Sequence, residues 1–259
     1  MSPDRSTTDP QNADPLAPLV GLPGVAAAAD AARDALAAVH RHPVNLRGWL
    51  DSSVEASWRA AQSSAAIEGS SVSLRRDDEV VDPVVSGALR VNLALTGESL
   101  ESLTTVWTRA PLQALARLHL LAAADIVDDA DQLGRPRVDP EVSHRLDLLA
   151  GLVTGGTSVP APVLTAVVHG ELAAMAPFGV ANGLVARAAA RLAAAAAGLD
   201  PHSLGVPEVT WLRKADAYRT AAEGFATGTA EGVAAWIVLH IEALEAGAAE
   251  ARSIADARR

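Results

Sequence analysis

From Leu16 onward, apolar residues recur every three or four positions, strand-like alternation is scarce, and Gly or Pro tends to fall between the periodic segments. That punctuation predicts an all-α protein, with helices over 24–40, 51–68, 77–95, 98–108, 111–124, 139–151, 160–175, 183–197, 208–226 and 229–256. Several ends are readable. Pro140 follows Asp139, Pro162 lies near the start of its segment, and Gly198 is followed by Pro201, which is the order of proline inside a helix start and glycine past a helix end. Residues 1–15 contain almost nothing that burial could use to offset ordering entropy, and read as a disordered tail. No repeat or composition break divides 16–259, so a single helical domain is the simpler reading, with 154–162 (TGGTSVPAP) as its most flexible connection.

Two stretches do not fit a plain helical bundle. In the first, over about 51–69, Ser52 and Glu55 have capping-box spacing, and Val54, Trp58, Ala61 and Ala65 then follow one face. The next residue on that stripe is Glu68, just before Gly69. A carboxylate there sits at the negative end of the helix dipole, so either a cation meets it or the helix end frays and turns it to water. The second is 173–192, AAMAPFGVANGLVARAAARL. Asn182 is a favoured N-cap, Gly183 allows close approach to the backbone, and the free amides of a new helix bind anions, with Arg187 on its first turns. Taken alone, a capped helix carrying a surface arginine explains the same residues.

Composition narrows the function. With 259 residues and 49% hydrophobic content the chain can bury a sizeable core. Acidic residues outnumber Lys plus Arg by 31 to 21, and the net charge of −10 argues against non-specific nucleic-acid binding. The absence of cysteine rules out disulfides and thiolate metal sites. The polar N-terminus fits neither a signal nor a transit peptide, and apolar runs such as 192–199 are too short to span a bilayer, which predicts a cytoplasmic protein without membrane contact. No Gly-rich dinucleotide loop follows a strand.

Together the two stretches resemble the Fic (Fido) family of AMP-transferring enzymes. Its signature reads His-Pro-Phe, any residue, Asp or Glu, Gly-Asn-Gly-Arg, two residues, Arg. Here the aligned residues are Ala176, Pro177, Phe178, Gly179, Val180, Ala181, Asn182, Gly183, Leu184, Val185, Ala186 and Arg187. Pro, Phe, Asn, the second Gly and the last Arg match; the His, the acid, the first Gly and the first Arg do not. Ser64, Glu68 and Gly69 fit the family's inhibitory-helix pattern, Ser/Thr, three residues, Glu, Gly/Asn. The resemblance implies that Glu68 pairs with Arg187. It extends to the Leu118-His119 helix with its Gly134-Arg135-Pro136-Arg137 loop, to His169 and Glu171, and to Tyr218 and Trp236 in the closing helices.

In the family the signature His is the general base for a target hydroxyl, the acid holds Mg²⁺, and the first Arg clamps phosphates. Ala176, Val180 and Leu184 can do none of this, so the resemblance implies no catalytic residue and no metal site. His169 lies seven residues before Ala176, on the order of 10 Å along a helix, which is far for a replacement base. What remains is Asn182, Gly183 and Arg187 as a phosphate site, with Ser64, Glu68 and Gly69 as its inhibitory element. The leading expectation is a catalytically degenerate Fic-like regulatory or interaction module that binds ATP or another nucleotide without Mg²⁺, with a protein partner or a homodimer as the associated assemblies. The alternatives are an active AMP transferase with a rearranged site and a purely structural helical subunit.

Overall fold

The computed structural model describes residues 14–71, 75–76 and 78–259. Its elements are α1 (Ala17–Val20), α2 (Val25–His40), α3 (Asn45–Ile67), α4 (Pro83–Leu93), α5 (Gly97–Trp107), α6 (Pro111–Ala123), α7 (Pro140–Gly151), α8 (Ala161–Met175), α9 (Asn182–Ala196), α10 (Pro207–Arg213), α11 (Ala215–Ala226) and α12 (Ala230–Asp256). Among the described residues there is no strand. A 3₁₀ turn at Ala130–Gln132 follows α6, and a π-helical turn at Leu152–Gly156 follows α7.

Two apolar clusters meet on α8 and α9. One takes Val168 and Leu172 of α8 and Leu184, Val185 and Leu192 of α9 against α4, α5, α6 and α7. The other takes Val163 and Ala166 of α8 and Ala194 of α9 against α2, α10, α11 and α12. Every residue of α9 from Leu184 to Ala195 is buried, Arg187 and Arg191 included, which places this helix at the centre. Its alanines keep the surrounding helices close.

The periodic pattern locates most elements within a residue or two, and the differences have local causes. The expected helix at 51–68 starts at Asn45 and kinks at Gly48 (φ −117°, ψ 25°). Ser52 is therefore interior and buried, not a cap, and Glu55 instead pairs with Arg59 and Arg76. The 77–95 segment becomes helical only at Pro83, where Asp82 accepts from the amides of Val84 and Val85. The 208–226 segment breaks at Lys214 (φ −111°, ψ 36°) into α10 and α11. The expected tail at 1–15 lies outside the described residues as far as residue 13. Asp14 is anchored: its carboxylate accepts from Leu16 N, Thr157 Oγ1 (2.7 Å) and Ser158 N (2.6 Å), and these bonds, led by the one from the Ser158 amide, hold its pKa down at about 2. The same bonds pin the 154–162 connection, which is a π turn and a staple, not a slack linker. By length and composition α12 could cross a bilayer, which run length alone does not reveal; here its Trp236, Ile237, His240 and Ile241 are buried.

Gly87 marks a close crossing of α4 and α6. A Cβ there would stand 2.0 Å from the Ala122 carbonyl oxygen of α6. Gly87→Ala is expected to force α4 and α6 apart and destabilise the fold by about 1–3 kcal/mol, seen as a lower urea midpoint with an unchanged m-value. An unshifted midpoint would mean the crossing is looser than described.

Candidate functional site

The stretch between α8 and α9 is built on two left-handed alanines. Ala176 (φ 43°, ψ 64°) ends α8 and Ala181 (φ 57°, ψ 19°) precedes α9. Residues with a Cβ adopt this region at a cost of about 1–2 kcal/mol, and Ala181 occupies the position where the resemblance places a glycine. Surrounding contacts hold the loop in this strained shape. Asn182 Nδ2 donates to Phe178 O and its Oδ1 accepts from Phe178 N, both at 2.8 Å. The expected Asn182 cap is therefore corrected: Ala181 is the N-cap, no side chain caps the helix, and Asn182 braces the loop.

The Phe178 ring lies flat on His119 of α6, with centroids 4.1 Å apart. His119 Nδ1 accepts from Gly134 N (2.9 Å), so the neutral ring carries its proton on Nε2 and offers no free lone pair. Burial lowers its pKa and keeps it neutral. From the other side, Arg137 donates through Nε to Ala176 O and through Nη2 to Met175 O, both at 3.0 Å, and its backbone amide donates to Pro177 O. The cation thus satisfies the end of α8, where carbonyls and dipole both call for one. Between the 127–138 segment and Gly179–Val180 lies an open cavity of about 580 Å³.

At the start of α9 the helical ladder opens with Val185 N to Ala181 O (3.0 Å). The amides of Asn182, Gly183 and Leu184 precede it and have no helical carbonyl to bond. Glu68 stands beside Gly183. A Cβ on Gly183 would lie 2.1 Å from Glu68 Oε1, so only glycine admits the carboxylate here. Gly69 (φ 95°) ends α3 just beyond, with Ser70 N donating to Ala65 O. Glu68 is thus at the unfavourable end of its own helix and at the favourable end of α9.

Arg187 is the cation that the α3 stripe required. Its Nη2 meets Glu68 Oε1 at 2.6 Å, its Nε donates to Ser64 Oγ at 2.7 Å, and Nη2 also donates to Ser64 O at 3.2 Å. The Arg187 side chain is 2% exposed and that of Glu68 30%, so the arginine is a core residue and the carboxylate its outer cover. Burial works against the guanidinium charge, but Tyr218 and Glu68 outweigh it and hold the pKa above its usual value. Ser64, Glu68, Gly183 and Arg187 come together; Gly69 shapes the approach and Asn182 the loop behind it. Ala176 presents no side-chain polar atom, and Leu184 is buried in the core.

Neither the periodicity nor the resemblance identified Arg191, one turn beyond Arg187. It is buried, donating to Ser203 O, Gly205 O and Glu208 Oε2. A second cation isolated among alanines is the signal that could have raised it. His169 is fully buried among Trp211, Tyr218, Trp236 and His240, with no path to a bound hydroxyl. Glu171 pairs with Arg145 at 2.8 Å, away from the loop.

No protein-family model matches the chain, and no curated protein does. Solved structures do. A Fic family protein from Desulfovibrio desulfuricans G20 superposes with a TM-score of 0.67 at 20% identity, covering 87% of this chain and 74% of that one. Fic-1 from C. elegans superposes with 0.67 in a variant form, at 15% identity over 90% of this chain and 73% of that one. A second Fic-1 structure gives 0.62 at 13% identity over 88% and 71%. The fold is the helical Fic (Fido) fold.

Proposed function

We propose that this protein binds a nucleotide or another phosphate compound at the α9 N-terminus without transferring AMP, and acts as a regulatory or interaction module whose site Glu68 closes. The observation that carries this reading is the Glu68 carboxylate seated on Gly183 and bonded to buried Arg187, since a carboxylate there occupies the place an anion would take. Phosphoryl transfer rests on positioning and charge stabilisation, together with a base for the attacking hydroxyl. Ala176 supplies no base, and His119, the histidine lining the cavity, has its lone pair engaged by Gly134. A Mg²⁺ does not fit the family's position, because Val180 offers no side-chain oxygen where the family has a carboxylate. No step is therefore routed through a metal. The cytoplasm is the compartment that this reading assumes, and a protein partner or a second copy would receive the signal.

Calorimetric titration of ATP into wild type and Glu68→Gly, with and without Mg²⁺, is the test. The variant is expected to bind at least about tenfold more tightly than wild type, with little effect of Mg²⁺ and no pyrophosphate release in the presence of protein substrates. Absence of binding to either protein at millimolar ATP would sink the phosphate-site reading, and release of pyrophosphate would sink the non-catalytic one.

A further inference from the structure

Behind Arg187, away from Glu68, runs a buried string of polar groups that the phosphate-site reading does not use. Tyr218 is among the groups that hold the Arg187 pKa up, and Arg187 in turn works against the burial that raises the Tyr218 pKa. Tyr218 Oη lies 2.8 Å from His169 Nε2, His169 Nδ1 lies 3.1 Å from His240 Nδ1, and His240 Nε2 lies 3.3 Å from Thr165 Oγ1. The string ends where Thr165 Oγ1 donates to Pro162 O at 2.8 Å. Tyr218 is buried, and both histidines and Thr165 are fully so.

Its proton positions follow from the two ends. Pro162 O can only accept, so the Thr165 hydroxyl proton points to it and Thr165 Oγ1 must accept from His240 Nε2–H. Neutral His240 then has a bare Nδ1, which accepts from His169 Nδ1–H. Neutral His169 has a bare Nε2, which accepts from Tyr218 O–H. The phenol oxygen is left to accept from Arg187, which can only donate. Both histidines are held neutral by burial, His240 with a pKa pushed down to about 3 and His169 well below the usual value. One arrangement satisfies every group, and it leaves the phenol oxygen as an acceptor for the Arg187 end. Polar chains of this kind in a low-dielectric interior are rigid when complete.

We infer that Tyr218, His169 and His240 form a one-directional hydrogen-bond chain that fixes the Arg187 guanidinium from behind, so that its anion-facing pose persists when Glu68 leaves. Tyr218 is a positioning residue in this chain. The inference rests on the phosphate-site reading for its use, not for its existence. The chain also links the site to α11 and α12, which carry Tyr218 and His240.

The test uses the intact protein and the ¹⁵N resonances of its histidine rings, in wild type, Glu68→Gly and Glu68→Gly/Tyr218→Phe. His169 is expected to be protonated on Nδ1 and bare on Nε2, and His240 the reverse. Removal of Glu68 changes the field on Arg187 and is expected to shift the His169 Nε2 resonance without switching either tautomer; Tyr218→Phe is expected to abolish the coupling and to weaken ATP binding in the Glu68→Gly background about tenfold, as for one hydrogen bond to a charged group. His169 protonated on Nε2, or a resonance indifferent to Glu68, overturns the chain, and the wild-type and Glu68→Gly proteins suffice to show it if the double variant does not fold. A responsive His169 in a Glu68→Gly protein that binds no ATP supports the chain and overturns the phosphate-site reading instead.

Discussion

Arg191→Met should lower the stability of this protein by about 3–5 kcal/mol, the range for breaking a buried ion pair from one side. The Arg191 and Glu208 side chains are 4% and 1% exposed and meet at 3.2 Å. Glu208 Oε1 has no hydrogen-bond partner among the described residues, so removal of the guanidinium leaves a carboxylate in the core with little to compensate it. The same cation also satisfies the carbonyls of Ser203, a residue in the left-handed region at φ 52°, and of Gly205, which lead the chain from α9 into α10. Pairing Arg191→Met with Glu208→Leu is expected to recover part of the loss, because the charge is gone while those carbonyls still lack a donor. Urea unfolding of the two single variants and the double gives the coupling directly. A loss below about 1 kcal/mol for Arg191→Met would place the pair in solvent-like surroundings, where exposed pairs have that magnitude.

Trp236→Ala should cost a comparable amount, about 3–5 kcal/mol for truncating a large core side chain. The indole is fully buried, donates through Nε1 to Ala166 O at 2.8 Å, and presents an edge to His169 with centroids 4.9 Å apart. Its fit is close on the α8 side, where a Cβ added to Gly170 would stand 2.6 Å from Nε1. Cavity and hydrogen bond contribute separately, and Trp236→Phe sorts them: it retains most of the volume, leaves Ala166 O in its bond within α8, and is expected to lose about 0.5–1.5 kcal/mol for the indole hydrogen bond. Equal losses for Phe and Ala would mean that the hydrogen bond, not the packing, accounts for the effect. A midpoint change of roughly 2–4 °C per kcal/mol for a chain of this size makes both readable by thermal melting.

Helix positions were legible in the sequence because alanine-rich periodic segments are separated by proline and glycine, and proline stands at the starts of α6, α7 and α10, which were read to within a residue, whereas the α4 start at Pro83 was read six residues too early. Asp139 before Pro140 caps α7 as its pattern says, accepting from Glu141 N and Val142 N. The start of α3 was hidden because Gly48 interrupts the first turns and because the buried face that follows is made of Ser52, Ser53, Ala56 and Ser57, which reads as surface. Asn182 was misassigned for a related reason: its residue type suits a cap, but its side chain finds both partners on Phe178 first. The Glu68–Arg187 contact was half legible. The stripe shows that Glu68 needs a cation, yet the partner lies 119 residues away, and family resemblance, not spacing, singles out Arg187. Tyr218, His169 and His240 carry no local pattern that joins them, since their adjacency is made by α8, α11 and α12 meeting.

The serine seam of α3 gives that helix a different standing from the rest of the fold. The hydroxyl oxygens of Ser52, Ser53 and Ser57 are buried without a hydrogen-bond partner among the described residues, and Ala56, Ala60 and Ala61, buried along the same helix, are small. Such a contact gains little from area and leaves part of its desolvation unrepaid, so water admitted along it recovers what folding gave up. The last turn of the helix adds what the seam lacks, the polar bonds of Ser64 and Glu68 to Arg187. In a molecule knitted around α9, α3 is thus joined to the central helix through one arginine, which a serine and a carboxylate of its last turn share.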